Sequence, residues 1–210
     1  MFKEDSKIVF FGDSLIKRTG IVSSPNPARK YMIDYTGSFV DILTKKLIVH
    51  FPEISFEFYN KGVGGNTTED LLKRVKQEVL LLKPNIIILL IGQNDAIKHT
   101  IDKFEDNLTD LLETMNRNNI KVIQLSTTPN LKNMEINIIL DEFDAIIKNK
   151  SEFYGNIYVD LKMPFKKAMA HKMYDCPIEL LIDGVHMTEL GNILIADLVY
   201  DAMVNLLITH

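Results

Sequence analysis

A chain of 210 residues, 46% hydrophobic and 25% charged, suits one sizeable globular core, a single domain over 1–210, better than two small ones. Its formal net charge of −4, with lysines scattered among acids, leaves no basic stripe to follow a phosphate backbone, which argues against nucleic acid as a partner. No segment approaches 18 apolar residues and no apolar leader with a small-residue cleavage site opens the chain, so stable membrane insertion and export are not expected.

Lys7 to Phe11 is an apolar, strand-like run that leads directly into Gly12-Asp13-Ser14. A polar, proline-containing connection follows over roughly Lys17 to Tyr35, then a helix with Phe39, Leu43 and Leu47 on one face. Ile54 to Tyr59 alternates as a strand that closes at Asn60. Thr67 to Asp70 opens the next helix in the manner of a capping box, with Leu71, Leu72, Val75, Val79 and Leu82 as its buried stripe and Pro84 at its end. Ile86 to Ile91 is six consecutive branched apolar residues, the pattern of a strand covered on both faces and central in a parallel sheet.

A third helix is predicted from Ile101, Phe104, Leu108, Leu111, Leu112 and Met115, then a strand at Lys121 to Leu125 and a helix around Ile136 to Ile147. The fifth strand spans Ile157 to Leu161, and a last helix begins near Thr188 with Leu190, Leu194, Leu198 and Val199 inward. Such alternation with right-handed crossovers predicts an α/β fold: a three-layer α/β/α sandwich around a mainly five-stranded parallel sheet, flavodoxin-like in order.

Ligands in such sheets sit beyond the carboxyl ends of the strands. Three strands there run into Gly12-Asp13-Ser14, Asn60 to Thr67, and Gly92-Gln93-Asn94-Asp95. Asp183-Gly184-Val185-His186 precedes the last helix, and its three-residue spacing lets the carboxylate reach the near side of the imidazole. The other ring nitrogen of His186 is then free to take the Ser14 proton, while Asp183 stabilises the imidazolium. Acyl transfer also needs donors for a developing oxyanion. The candidates are Gly65 at the mouth of the helix capped by Thr67, the Asn94 side-chain amide and the Ser14 backbone N–H.

Each feature also has a plain structural meaning. A lone Gly-Asp-Ser is ordinarily a turn, and Asn94 or Asp95 commonly caps a following segment. Asp13 reads as a structural residue that bonds local backbone amides, its charge near enough to bias His186. His50, His99, His171 and His210 have no carboxylate at matching spacing, with His99 the second choice of base. No His and carboxylate cluster suggests a metal, and Asp183 with His186 falls short of a zinc site, so metal-independent, cofactor-free catalysis is expected. The single cysteine, Cys176, suits a small buried position and a reducing, cytoplasmic compartment.

The ordered set GDSL at 12 to 15, N-x-G-x-x-G at 60 to 65, G-x-N-D at 92 to 95 and D-x-x-H at 183 to 186 resembles the SGNH hydrolase superfamily, the GDSL esterases and lipases. The resemblance spans nearly the whole chain. It implies Ser14 as nucleophile, Asp183 and His186 as acid and base, and Ser14 N–H, Gly65 and Asn94 as oxyanion donors. Gly64 stands where the family commonly has a larger residue. A small-molecule ester is the implied substrate, within a range from sugar deacetylases to lysophospholipases and thioesterases. Two loops would set the choice: 17 to 35, with Arg18, Arg29, Lys30, Tyr31 and Tyr35, and 173 to 182, with Met173, Tyr174, Ile178, Leu181 and Ile182. Their mixture favours a short acyl group, acetyl on a carbohydrate-like molecule, over a long lipid groove. A non-catalytic anion- or nucleotide-binding module is the alternative of another class; the oligomeric state is open.

Overall fold

The computed structural model describes residues 5–17, 20–23, 31–34, 37–173, 176–177 and 179–208. In chain order, β1 (Asp5–Gly12) is followed by β2 (Gly20–Ser23), β3 (Tyr31–Asp34), α1 (Phe39–His50), β4 (Ser55–Gly62), α2 (Thr68–Glu78) and β5 (Ile86–Leu90). Then come α3 (Asp95–Lys98), α4 (Ile101–Arg117), β6 (Lys121–Leu125), α5 (Ile136–Phe153) and β7 (Ile157–Val159). The remaining elements are α6 (Lys162–Met169), β8 (Lys172–Met173), β9 (Cys176–Pro177) and α7 (Glu189–Ile208).

The main sheet is parallel in the order β4-β1-β5-β6-β7, the flavodoxin-like arrangement expected. Period-two alternation lets each central strand serve two cores. Ile8 and Phe10 of β1 join Ile86, Ile88 and Leu90 of β5 under α1 and α7. Val9 and Phe11 join Ile87 and Leu89 on the opposite face, under α2, α4 and α5. The stripe Phe104, Leu108, Leu111, Leu112 and Met115 of α4 is buried there, and Phe104 stacks on Phe143 of α5 with ring centroids 3.8 Å apart. On the other face α1 is tied to α7 by its Phe39 N–H, which donates to Asn192 Oδ1 at 2.8 Å.

Five details depart from the sequence reading. The connection after β1 contains an antiparallel hairpin, β2 with β3. Strand β4 runs two residues past Asn60, to Gly62, because all eight of its positions pair with β1. The second helix stops at Glu78, and a 3₁₀ turn at Leu80–Leu82 carries the chain on to Pro84, leaving Leu72 and Leu82 only partly buried. In α7 Val199 is buried and Leu194 and Leu198 pack partly on the core as expected, but Ile195, Ala196 and Met203 are also fully buried and Leu190 is 45% exposed. That helix is apolar around most of its girth, so packing against α1 rather than period chooses its inner face. Helices α3 and α6 and the β8–β9 hairpin had no sequence counterpart.

Gly12 closes β1 with its Cα against β5: a Cβ there would lie 2.1 Å from the Leu90 carbonyl oxygen. The chain therefore leaves the sheet at its centre, in close contact with the neighbouring strand end. No helix among the described residues is long and apolar enough to cross a membrane.

Ile88 is fully buried in the middle of the central strand. Ile88→Ala should lower unfolding stability in urea by about 2–5 kcal/mol; a loss under about 1 kcal/mol would contradict a close-packed core at that point.

Candidate active site

Ser14 is the second residue after β1 and is half-buried. A helical turn begins there, because Lys17 N–H donates to the Asp13 carbonyl at 3.0 Å and Leu15 N–H to Asp13 Oδ1 at 2.9 Å. Asp13 thus bonds local backbone amides as its structural reading requires.

The Asp183 to His186 segment is a tight turn held by its own acid. Asp183 Oδ1 accepts from the backbone N–H groups of Val185, at 3.0 Å, and His186, at 2.7 Å. Ile182 N–H donates to the His186 carbonyl, and Leu181 bridges Met187, so the two ends of the turn are pinned together. Asp183 Oδ2 then lies 2.8 Å from His186 Nδ1, and His186 Nε2 lies 3.1 Å from Ser14 Oγ. A carboxylate can only accept, so Nδ1 carries the proton and Nε2 presents a lone pair to the serine hydroxyl. Burial pushes the Asp183 carboxyl up. The bonds from the His186 backbone and ring and from Val185 outweigh that and hold it below the ordinary carboxylate range.

Asn94 caps nothing with its side chain. Its amide instead donates to the Asn66 carbonyl at 3.0 Å and to Asp13 Oδ2 at 3.2 Å, joining the exits of β1, β4 and β5. Arg74 of α2 reinforces the junction. Its guanidinium donates to the Gly12 carbonyl at 2.9 Å, to Asn66 Oδ1 at 2.8 Å and to Glu78, and it lies over the Phe11 ring. Gly64 turns its bare face to the serine, since a Cβ on it would meet only Ser14 Cβ, at 3.8 Å. Gly65 has φ +79° and its carbonyl accepts from Lys98 Nζ.

Asp95 is fully buried, and its Oδ1 accepts from the Thr68 N–H, the Thr68 hydroxyl and the His99 ring. This corrects the reading of His99 as lacking a carboxylate: the matching spacing at α3 is four residues, one helical turn. His99 is absent from the lining of the pocket that holds Ser14, and it also faces Glu69 at 3.8 Å. His50 pairs with Tyr200 on the surface, and His210 lies outside the described residues.

Ser14, Asn94, Asp183 and His186 line one pocket of about 370 Å³. Of its other walls, Gln93 and Val185 belong to segments expected at the crevice, whereas the residues of the β6–α5 connection and Ile97 carry no such expectation. Gln93 follows β5 and is buried, its amide donating to the Thr128 carbonyl and its Oε1 accepting from Asn130. Asn130, Lys132 and Asn133 come from the β6–α5 connection, with Ile97, Ile136 and Val185 adding apolar patches. The available signal was position: a stretch rich in Asn and Thr follows a strand's carboxyl end. In the two loops expected to select substrate, Arg18, Arg29, Lys30, Tyr35, Tyr174 and Ile178 lie outside the described residues. Among the described residues no group of three His, Cys, Asp or Glu side chains is placed to hold a metal ion.

Comparison with known proteins bears on this arrangement. The family model of the GDSL-like Lipase/Acylhydrolase matches residues 8–199. An acetylxylan esterase of Geobacillus stearothermophilus is 27% identical over 206 residues, covering 90% of each chain. The uncharacterized lipoprotein YqeF of Bacillus subtilis (strain 168) is 33% identical over 82 residues, 36% of this chain and 34% of that one. Among solved structures, Axe2, an acetylxylan esterase from Geobacillus stearothermophilus, shares the fold with a TM-score of 0.78 at 23% identity over 94% of this chain and 93% of that one. LAE5, an alpha/beta hydrolase enzyme from the metagenome of Lake Arreo, Spain, does so with 0.78 at 24% identity over 94% of each.

Asp13 is buried, and loss of water raises its carboxyl to about 7 against the Leu15 N–H that lowers it; the charge of Asp95 adds to the rise and His186 opposes it. Between the ordinary carboxylate range and about pH 7 the folded protein keeps a proton that the unfolded chain releases. The stability so gained is complete in acid and is lost as pH rises to about 7. Asp13→Asn should therefore gain stability relative to the parent as pH is raised from 4 to 8, read as the difference of their melting temperatures. A difference that stays constant across that range contradicts a buried, proton-binding Asp13.

Proposed function

The chain belongs to the GDSL-like lipase/acylhydrolase family, the SGNH hydrolases, and on that premise we propose that it removes a short acyl group, acetyl on a carbohydrate-like molecule, through an acyl-enzyme on Ser14. As a carboxylic ester hydrolase it needs a nucleophile, a base and an oxyanion site. One observation carries the assignment: the continuous hydrogen-bonded series from Ser14 Oγ through the His186 ring to Asp183, at 3.1 and 2.8 Å.

In this reading His186 Nε2 accepts the Ser14 proton as Oγ attacks the ester carbonyl, and ionised Asp183 stabilises the imidazolium. The oxyanion is met by the backbone N–H groups of Ser14 and Gly65 and by the Asn94 amide, each such donor contributing on the order of 3 kcal/mol. Asn94 exchanges its longer bond, that to Asp13, for the oxyanion and keeps the one to Asn66 that aims it. The imidazolium returns its proton to the departing alcohol. Water, deprotonated by the same ring, then cleaves the acyl-enzyme.

The acetyl and carbohydrate part of the proposal is supported by the acetylxylan esterase relative and by a polar pocket wall on which Asn94 and Asn133 carry amides, groups that pair with hydroxyls. A second reading, a lysophospholipase or thioesterase using the same residues, is favoured by Leu131 and Met134, large apolar side chains exposed in the same β6–α5 connection that supplies the pocket residues Asn130, Lys132 and Asn133. A cytoplasmic setting is supported by the single cysteine.

Ser14→Ala should lower kcat on 4-nitrophenyl acetate by at least about 10³-fold with an unchanged melting temperature, and should abolish labelling by a fluorophosphonate. Near-normal turnover in that variant removes the assignment. Across 4-nitrophenyl esters of increasing length, kcat/KM should be greatest at acetate; a maximum at long chains selects the lipid reading instead.

A further inference from the structure

Lys132 is the one lysine or arginine among the described residues that line the Ser14 pocket. The other formal charge there, Asp183, is committed to the His186 ring. Some described lysines are tied to acids, Lys46 to Asp197, Lys150 to Glu105, and Lys162 to Asp141 and Asp144, which leaves them no free charge for a ligand. Lys132 has no carboxylate within ion-pair distance among the described residues, on a chain whose formal net charge is −4. Lys132 is exposed, and a cation on a crevice lining with no carboxylate partner among the described residues, against an acidic background, attracts anions locally.

The backbone that carries this ammonium is fixed to the acid–base turn. Leu131 N–H donates to the Gly184 carbonyl at 2.8 Å, and the N–H groups of Lys132 and Asn133 both donate to Asn130 Oδ1, at 3.0 and 2.8 Å. Gly184 has φ +85°, and a Cβ on it would sit 2.8 Å from the Lys132 nitrogen, so the two segments touch where only glycine fits. The root of the lysine is thus held in constant register with His186.

We propose that Lys132 selects esters whose alcohol part carries an anionic substituent, a carboxylate or a phosphate, so that the substrates of this site are acetylated acidic molecules. The inference rests on the reading of Ser14 as nucleophile. The lysine pairs with the substituent while the acetyl carbonyl lies at Ser14. Because the substituent is remote from the reacting bond, the pairing is equal in ground and transition states and acts mainly on KM.

The test compares phenyl acetate, 3-acetoxybenzoate and 3-acetoxyphenyl phosphate with the intact enzyme, Lys132→Gln, Lys132→Glu and Lys132→Arg. The quantity read is the ratio of kcat/KM for each anionic ester to that for phenyl acetate, in which the overall competence of a variant cancels. Lys132→Gln should lower that ratio about fivefold at low salt, chiefly through KM. Lys132→Glu should lower it further, Lys132→Arg should keep it, and added salt should erode the intact enzyme's ratio toward that of Lys132→Gln. A fall confined to one anionic ester identifies carboxylate or phosphate as the group recognised. Equal ratios in the intact enzyme and Lys132→Gln for both anionic esters overturn the proposal. Undiminished hydrolysis by Ser14→Ala would instead overturn the serine reading, and the ratios remain measurable in that event.

Discussion

The contact between the Ser14 hydroxyl and the His186 ring joins groups 172 positions apart in the chain, and the architecture can be understood as the means of making it. Neither group is held by its own neighbours alone. Ser14 is placed by β1, which leaves the sheet between β4 and β5, and His186 is placed by a turn anchored to the loop after β6. Both positions follow from one rule of parallel sheets: all strand exits lie on the same edge, so loops distant in sequence share one crevice.

Holding that crevice open to substrate requires polar groups inside a protein that is apolar on both faces of its sheet. Asp13, Asp95 and Asn107 are almost wholly buried, and each is engaged by neighbours from other segments. Arg74 links the carbonyl that ends β1 to Asn66, whose own carbonyl takes one hydrogen of Asn94. Three strand exits are therefore bound to one another by hydrogen bonds, in surroundings of low dielectric where such bonds are strong and an unmet one is costly. Among the described residues two buried side-chain atoms lack a hydrogen bond: Asp95 Oδ2 here and Gln124 Nε2 in β6.

Legibility in the sequence followed the strength of local signals. Six branched residues from Ile86 to Ile91 admit little besides a central strand, and the three-residue interval between Asp183 and His186 describes a turn in which acid and ring meet. In helix α7 Val199 is buried and Leu194 and Leu198 pack against the core as the pattern predicts, but Leu190 is exposed, because Leu190, Ile193, Leu194, Ile195 and Leu198 surround the helix with apolar surface that blurs the edge of its inner face. Helix α6 is short and contains Pro164, which obscures its pattern. The pocket wall from Asn130 to Asn133 consists of residues that suit any loop, so only contact with Gly184 distinguishes it. Burial of a carboxyl such as Asp13 is a property of the fold, invisible in Gly-Asp-Ser alone.

The pairing of α1 with α7 has a consequence for biosynthesis. The face of the sheet carrying Ile8, Phe10 and Ile88 is shared by these two helices, the first and the last among the described residues. During translation the hydroxyl-bearing turn emerges before the imidazole, which follows 172 residues later, with the helix that covers this half of the core directly after it. Chains that end before both consequently expose an uncovered apolar sheet face and lack the imidazole that meets Ser14, and exposed surface of that kind promotes aggregation.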